Sequence, residues 1–289
     1  MADGVVRALL AQENLRAVAV VATVAAQEGR LLHQLKPVSA ALLGQALCAG
    51  ALMAALQKDN SRVNLQLECD GPLRGLFVDA SASGEVRGYV KNAWLEVAGE
   101  PGPFQWRPAL GNSGYLSVLK DIGEGEYYRS SIQLSAMDLS TDLNAYFVSS
   151  EQVATRLAIA LSARADEPLG KVAGVLLQAL PGADVEGLKR RGETLAALLQ
   201  KTLGGDEPLT AAGLLGAVVE GHDLEVLASY PLEWSCNCSK ERVLQALASL
   251  GKDEIRKMIE EQGSAVVSCQ FCSTRHEATR EDLQKLLTA

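Results

Sequence analysis

Four of the six cysteines stand in two tight pairs near the end of the chain, Cys236-Asn237-Cys238 and Cys269-Gln270-Phe271-Cys272. Thirty residues (269 − 238 − 1) separate the pairs. A C-x-C and a C-x-x-C at this separation can bring four thiolates to one tetrahedral point, which is what a closed zinc site requires. A metal holds thiolates rather than thiols, so all four sulfurs would be deprotonated. Thiolate is also the form that peroxide attacks, and a nearby sulfur can trap the sulfenic acid product as a disulfide. Each pair supplies such a neighbour. If oxidation consumed all four sulfurs, no ligand would remain for the metal.

The energy at stake is large. Zinc binding is worth on the order of 10–16 kcal/mol in zinc-finger peptides, where it is folding energy. A whole domain is stable by only roughly 5–15 kcal/mol. Loss of the metal therefore predicts unfolding of the cysteine segment. Three readings follow from the sulfurs alone: an inert structural staple, a redox switch, or a thioredoxin-like C-x-x-C oxidoreductase. The last has no βαβ pattern around it.

The rest of the chain must position these sulfurs. At 289 residues, with 48% hydrophobic and only 4% aromatic residues, it can bury a sizeable core built from Ala, Leu and Val. The net charge is −8, which disfavours sequence-independent binding to phosphate backbones. Residues 232–289 carry 8 basic and 9 acidic groups, so the cysteine segment is not a basic patch either. The N-terminus lacks a charged segment followed by an apolar one, the pattern of a signal peptide. Residues Val38–Gln57 run without a charge, yet are Ala-rich with Ser39, Gln45 and Gln57 inside, and read as a buried core helix rather than a membrane span. A cytoplasmic location, where clustered thiols stay reduced, is the expectation.

Periodicity divides the chain into three parts. Residues 1–181 read as an N-terminal core of the α+β or α/β class with sheets and helices. Its expected elements are a strand in Leu15–Ala25, a helix from Pro37, a strand at Val63–Leu67, and hairpins at Leu73–Val90 and Tyr115–Leu134. Gly99–Gly114 reads as loop, Ser149–Ser162 as helix then strand, and Gly170–Leu180 as a buried strand. Residues 182–231 read as a helical linker without a core of its own, with leucines at helical spacing. Residues 232–289 read as a small zinc-binding domain. There Ser239 caps one helix, Asp253 and Glu254 open another, and Ala265–Ser268 is a strand. Thr279-Arg280-Glu281-Asp282 fits a capping box before a last helix. A domain this small commonly needs a staple.

No Ser/His/Asp arrangement, P-loop or G-x-G-x-x-G before a helix occurs, so neither enzymatic activity nor ATP binding is expected. His276, four residues after Cys272, is a possible further ligand. His33 and His222 lie in no metal-spaced constellation. Cys48 reads as a buried apolar residue, and Cys69, beside the Asp70-Gly71 turn, as a candidate exposed thiol.

The segment from Trp234 to Arg242 (WSCNCSKER), followed by Cys269-Gln270-Phe271-Cys272, resembles the zinc signature of the heat-shock protein 33 family of redox-regulated holdase chaperones. Gly71-Pro72-Leu73, Val78-Asp79-Ala80, Arg87-Gly88-Tyr89-Val90, Tyr146–Gln152 (YFVSSEQ) and Gln178–Gly182 (QALPG) resemble that family's core motifs in the same order. The resemblance spans essentially the whole chain. One departure is Arg129-Ser130, where a Gly is expected after the tyrosine. The resemblance implies a zinc ion held by Cys236, Cys238, Cys269 and Cys272 in an inactive reduced monomer. Oxidation under unfolding conditions would form disulfides Cys236–Cys238 and Cys269–Cys272, release zinc, and unfold the C-terminal region. The protein would then bind unfolding clients without ATP, commonly as a homodimer. The apolar face of Val185, Leu188, Leu195, Leu198, Leu199 and Leu203, with Leu214, Leu215, Val218 and Val219, is the candidate client surface. It would be packed on the core until the switch is thrown.

Overall fold

The computed structural model describes residues 2–58, 61–96, 106–123, 125–162, 169–205, 207–219 and 223–288. Their contacts divide the chain into two units, Met1–Trp234 and Ser235–Ala289.

The first unit begins with an antiparallel hairpin, β1 (Gly4–Leu10) and β2 (Leu15–Val21). Asn14 turns the chain in the left-handed region at φ 53°, a conformation Asn tolerates better than most residues. Helices α1 (Thr23–His33) and α2 (Pro37–Ala54) follow. Pro37 starts α2, where a missing N–H costs nothing. From Ser39 to Ala54 every residue of α2 is buried, so the charge-free run is a core helix that is apolar all round. Gly50 is needed there, because a Cβ would come within 2.7 Å of Val78 Cγ1.

Next come β3 (Arg62–Cys69), β4 (Gly75–Ser81) and β5 (Glu85–Val90), the short helix α3 (Arg107–Leu110), then the hairpin β6 (Gly114–Gly123) and β7 (Glu126–Gln133). Helix α4 (Leu139–Tyr146) runs into a π turn, Phe147–Glu151. Strands β8 (Thr155–Leu161) and β9 (Val172–Ala179) form a further hairpin. Helices α5 (Val185–Leu203) and α6 (Ala211–Val218) are followed by β10 (Glu225–Pro231) and β11 (Glu233–Trp234). Two sheets result: a five-stranded one in the order β10-β1-β2-β9-β8, and a six-stranded one in the order β11-β5-β4-β3-β6-β7.

The five-stranded sheet separates two cores. Alternate residues of β2 divide between them. Val18 and Val20 face α1, α2 and the six-stranded sheet. Ala17, Ala19 and Val21 face α5 and α6. A strand buried on both faces loses polar alternation and becomes a continuous apolar run, which is why Leu15–Val21 is legible as a buried strand.

The structure corrects several expectations. The stretch 182–231 is not a separate coreless linker. Its two helices close the second core of the first unit, and its last part is β10, paired antiparallel with β1. Leu15–Ala25 ends as a strand at Val21 and continues as helix from Thr23. Within the expected loop, Arg107–Leu110 is helical, and 97–105 lies outside the described residues. Thr155–Leu161 is a strand as expected, but the turn before it is of π type. Gly71 accounts for one motif: a Cβ there would lie 2.3 Å from the Leu110 backbone. Asp79 accounts for two more. It is buried between β4's neighbours, with Oδ1 accepting from Arg62 and Asn64 and Oδ2 from Arg87. In the Tyr146–Gln152 motif, the Tyr146 hydroxyl donates to Glu151, which also pairs with Lys120. At the departure, Arg129 and Ser130 sit in regular register with Leu119 and Val118, and Ser130 Oγ lies 2.9 Å from the Tyr146 hydroxyl. The ladder is regular at the missing glycine, and the irregularity of this hairpin falls elsewhere, between Asp121 and Gly123.

The second unit contains α7 (Lys240–Ala248), α8 (Lys252–Glu261), the hairpin β12 (Ala265–Ser268) with β13 (Arg275–Ala278), and α9 (Arg280–Thr288). Among the described residues its buried apolar core is Leu247, Ile255, Ala265, Ala278 and Leu283, with Val243, Leu244, Met258, Ile259, Val267, Leu286 and Leu287 half-buried against it.

Candidate metal centre

Local chemistry places each cysteine pair. Cys236 and Cys238 occupy the extended approach to α7, and Ser239 caps that helix by accepting from Arg242 N. The Arg242 guanidinium donates to Asn237 Oδ1 at 2.6 Å, fixing the residue between the two sulfurs. Cys269 and Cys272 lie in the tight turn between β12 and β13. There Cys269 N donates to Thr274 O and Ser273 N to Cys269 O, both at 2.9 Å. Ser273 adopts φ 60° to close it. Helix α9 is fixed by the capping box: Thr279 N donates to Asp282 Oδ2 at 2.8 Å, and Asp282 N to Thr279 Oγ1 at 3.3 Å. Lys240, at the start of α7, pairs with the same carboxylate at 2.6 Å. One carboxylate thus ties the first turns of the helices that flank the cysteine segments. It is held down to a pKa of about 2 by Lys240 first and the Thr279 donors second.

The four sulfurs lie within 4.8 Å of one another. Cys236 Sγ and Cys269 Sγ are 3.7 Å apart, and Cys238 Sγ and Cys272 Sγ 3.4 Å. Zn–S bonds of about 2.3 Å in a tetrahedron put neighbouring sulfurs about 3.8 Å apart. The donor set and its spacing therefore fit a tetrahedral metal ion. His276 Nε2 lies 3.3 Å from Cys238 Sγ, so the histidine contacts a ligand sulfur while the sulfurs by themselves supply four donors. Sequence reasoning named it only as a further ligand. It also missed Thr274, whose hydroxyl is 3.2 Å from Cys272 Sγ. The signal was its place two residues after the last cysteine.

The sulfurs differ in acidity. Burial pushes the Cys236 and Cys238 thiols up, and hydrogen bonds among the neighbouring sulfurs push the same way. Burial also acts to raise Cys272, but the hydrogen bonds from Thr274 and from the Cys238 and Cys236 thiols outweigh it and bring the group to about 7. With no metal, Cys272 becomes the thiolate that oxidants and metals react with before Cys236 and Cys238 do. The two remaining cysteines lack this property. Cys48 is completely buried and its thiol is pushed far up by burial. Cys69 is half-buried and also raised, by burial first. His33 stacks edge-on against Trp234 at 6.0 Å. His222 lies outside the described residues.

The expected client face is buried in the first unit. Leu188, Leu195, Leu199, Leu203, Leu214, Leu215, Val218 and Val219 pack into the second core beside β1, β2, β8 and β9. Val185 and Leu198 do not: they are 49% and 38% exposed and sit off the buried stripe.

An α+β unit whose sheet is covered by two amphipathic helices, joined to a small unit with four metal-competent cysteines, defines the class of protein. The family follows from comparison. The profile described as Hsp33 protein matches residues 3–279, and the chain belongs to this family. It is 35% identical over 290 residues to the 33 kDa chaperonin of Halalkalibacterium halodurans, covering 99% of both chains. It is 38% identical to that of Gloeobacter violaceus, covering 99% of this chain and 96% of the relative. The crystal structure of the 33 kDa chaperonin (heat shock protein 33 homolog) of Thermotoga maritima matches with a TM-score of 0.85 at 27% identity, over 100% of this chain and 98% of the other. Membership in a family of chaperonins supports a chaperone role.

Proposed function

We propose that this protein is an oxidation-activated, ATP-independent holdase whose switch is the cluster Cys236, Cys238, Cys269 and Cys272. The observation that carries the reading is the convergence of four sulfurs in a unit with a five-residue buried core. Bound Zn²⁺ would supply the crosslink that such a core lacks. In this reading a thiolate attacks one oxygen of hydrogen peroxide. The O–O bond breaks, hydroxide leaves, and a sulfenic acid remains. A second thiolate then attacks that sulfur, the S–S bond forms as the S–O bond breaks, and hydroxide leaves and takes up a proton from solvent. Two peroxide molecules convert four thiolates to two disulfides, Cys236–Cys238 and Cys269–Cys272, and no ligand is left for the metal. In the folded unit the 3.7 and 3.4 Å contacts join different pairs. All four sulfurs nevertheless lie within 4.8 Å of one another, so each local pair is also within reach, and its short loop closes readily.

The second half of the proposal is the helical cover. An apolar face cannot be packed on its own sheet and offered to a client at once, so release is a population shift. Because α5 and α6 belong to the first unit, oxidation alone does not remove their packing. Heat or another unfolding stress supplies the second condition. Unfolding client proteins, homodimerisation in the oxidised state and a cytoplasmic site of action belong to this proposal; nucleic acid, membrane, ATP and catalysis do not.

The test uses reduced, zinc-loaded protein and protein oxidised at raised temperature. Zinc release is followed with a chromophoric chelator, and aggregation of a heat-unfolding client by light scattering. Release together with near-stoichiometric protection without ATP supports the proposal. Release without protection would reduce the cluster to a structural staple, and turnover of a disulfide substrate would favour an oxidoreductase.

A further inference from the structure

On the opposite face of the five-stranded sheet from α5 and α6, a groove of about 550 Å³ opens where β1, β2 and β10 meet the end of α2. Its lining contains three cationic side chains, Arg7, Arg16 and Lys58, and among the described residues no carboxylate. Arg7 and Leu9 are two residues apart on β1 and share a face, and Arg16 stands opposite Leu9 on β2. The cations therefore converge by strand register. Leu56, Leu180 and Leu227 complete an apolar wall.

Among the described residues no carboxylate is paired with these charges. Arg16 donates to the Leu56 carbonyl at 3.1 Å and, among the described residues, makes no ion pair. Arg7 Nε is buried without a hydrogen-bond partner, a costly state for a donor. Burial, and then the charge of Arg7, lower the Arg16 pKa, so the two guanidiniums are close enough to repel. Glu225, which faces Leu9 across the β1–β10 ladder, is exposed and pairs with neither arginine. Two guanidinium forks beside an apolar wall match a planar or tetrahedral oxyanion carrying a hydrophobic substituent.

We propose that this groove binds a small organic anion, a phosphate or carboxylate group joined to an apolar body. The head group lies between Arg7 and Arg16, Lys58 closes over it, and the body rests on Leu9, Leu56 and Leu227. Because β10 supplies one wall, the bound anion also fastens β10 to β1, and ligand that binds only the folded state raises its stability.

The experiment titrates the full-length reduced protein with phenyl phosphate and, separately, with benzoate, using calorimetry and the thermal midpoint of the first unit. Phenol is the neutral control. Saturable binding of either anion is expected, with a rise in midpoint, and the tighter of the two identifies the head group. Lys58→Glu should weaken binding at least tenfold and Arg7→Gln more. Lys257→Glu, in the second unit, should leave it unchanged. Lys58 is exposed, so its variant keeps the test valid if Arg7→Gln fails to fold. No saturation by either anion up to about 10 mM, weaker than any useful site, overturns the proposal. So does equal binding by the Lys58→Glu variant, or phenol binding as tightly as the anions.

Discussion

The two units keep their folds by opposite means. In the first, α5 and α6 cover the sheet with Leu188, Leu195, Leu199, Leu203, Leu214 and Leu215 fully enclosed. Apolar burial at about 25 cal/mol per Å² holds them there, and it does not depend on redox state. In the second, five buried apolar residues and seven half-buried ones hold three helices and a hairpin of two four-residue strands, and in the proposed reading four sulfurs on a metal carry what packing lacks. A region held by packing responds to temperature. A region held by thiolate chemistry responds to oxidant. Under the proposed function, joining the two in one chain would make activation depend on both signals.

That contrast can be broken at its strongest point first. Replacing Cys238 by Ser, or removing metal with a chelator, should unfold Ser235–Ala289 and leave the first unit folded. Amide hydrogen exchange resolved by segment would show protection lost in 235–289 alone. Uniform loss across the chain, or none, would abolish the distinction between the units. Next, Leu199→Ala, at a fully buried position, should cost about 2–5 kcal/mol. It should loosen α5 and α6 with the cysteine cluster intact. Client protection by the reduced, metal-loaded variant at lower temperature than wild type is the expected reading, and unchanged protection would detach the helical face from client binding.

Asp184→Ala removes the side chain that accepts from Gly187 N at 2.9 Å and caps α5. The expected loss is about 1 kcal/mol, seen as a lower urea midpoint of the first unit. Asp282 sharpens the comparison through pH. Its folded pKa, about 2, lies below the unfolded value near 3.8. Its contribution is therefore present above pH 4 and fades as pH falls toward 2. Asp282→Asn should lower the stability of the second unit at pH 7 and flatten its acid dependence, with no effect on the first, as read by residue-resolved exchange. The smallest effect is expected from Leu198→Ala, within about 0.5 kcal/mol, because this side chain is exposed beside the buried stripe.

The cluster of four cysteines was largely legible in the sequence because its signal is local. Cys-x-Cys and Cys-x-x-Cys spacings, the Ser239 cap and the Thr279–Asp282 box each span a few residues, and the backbone geometry of a turn or helix start fixes where such side chains point. The helical pattern of 185–203 was legible for the same reason. What covers that face was not. The same apolar stripe serves a free linker or a packed cover, and only the sheet's second face, exposed by alternation in β2 and β9, distinguishes them. Strand β13, Arg275-His276-Glu277-Ala278, carries no strand signature and exists because it pairs with Ala265–Ser268. Strand β10 likewise exists through its ladder with β1, more than 200 residues earlier.

The sequence by itself determined which atoms can do chemistry: four sulfurs, their order along the chain, and the caps that hold their flanks. Only the tertiary structure decided what those sulfurs are set against. Pairing and packing join residues far apart in the chain, and their energy lies in contacts that no local window contains. It is the long-range closure of the five-stranded sheet that makes α5 and α6 a cover, and that gathers Arg7, Arg16 and Lys58 around one groove.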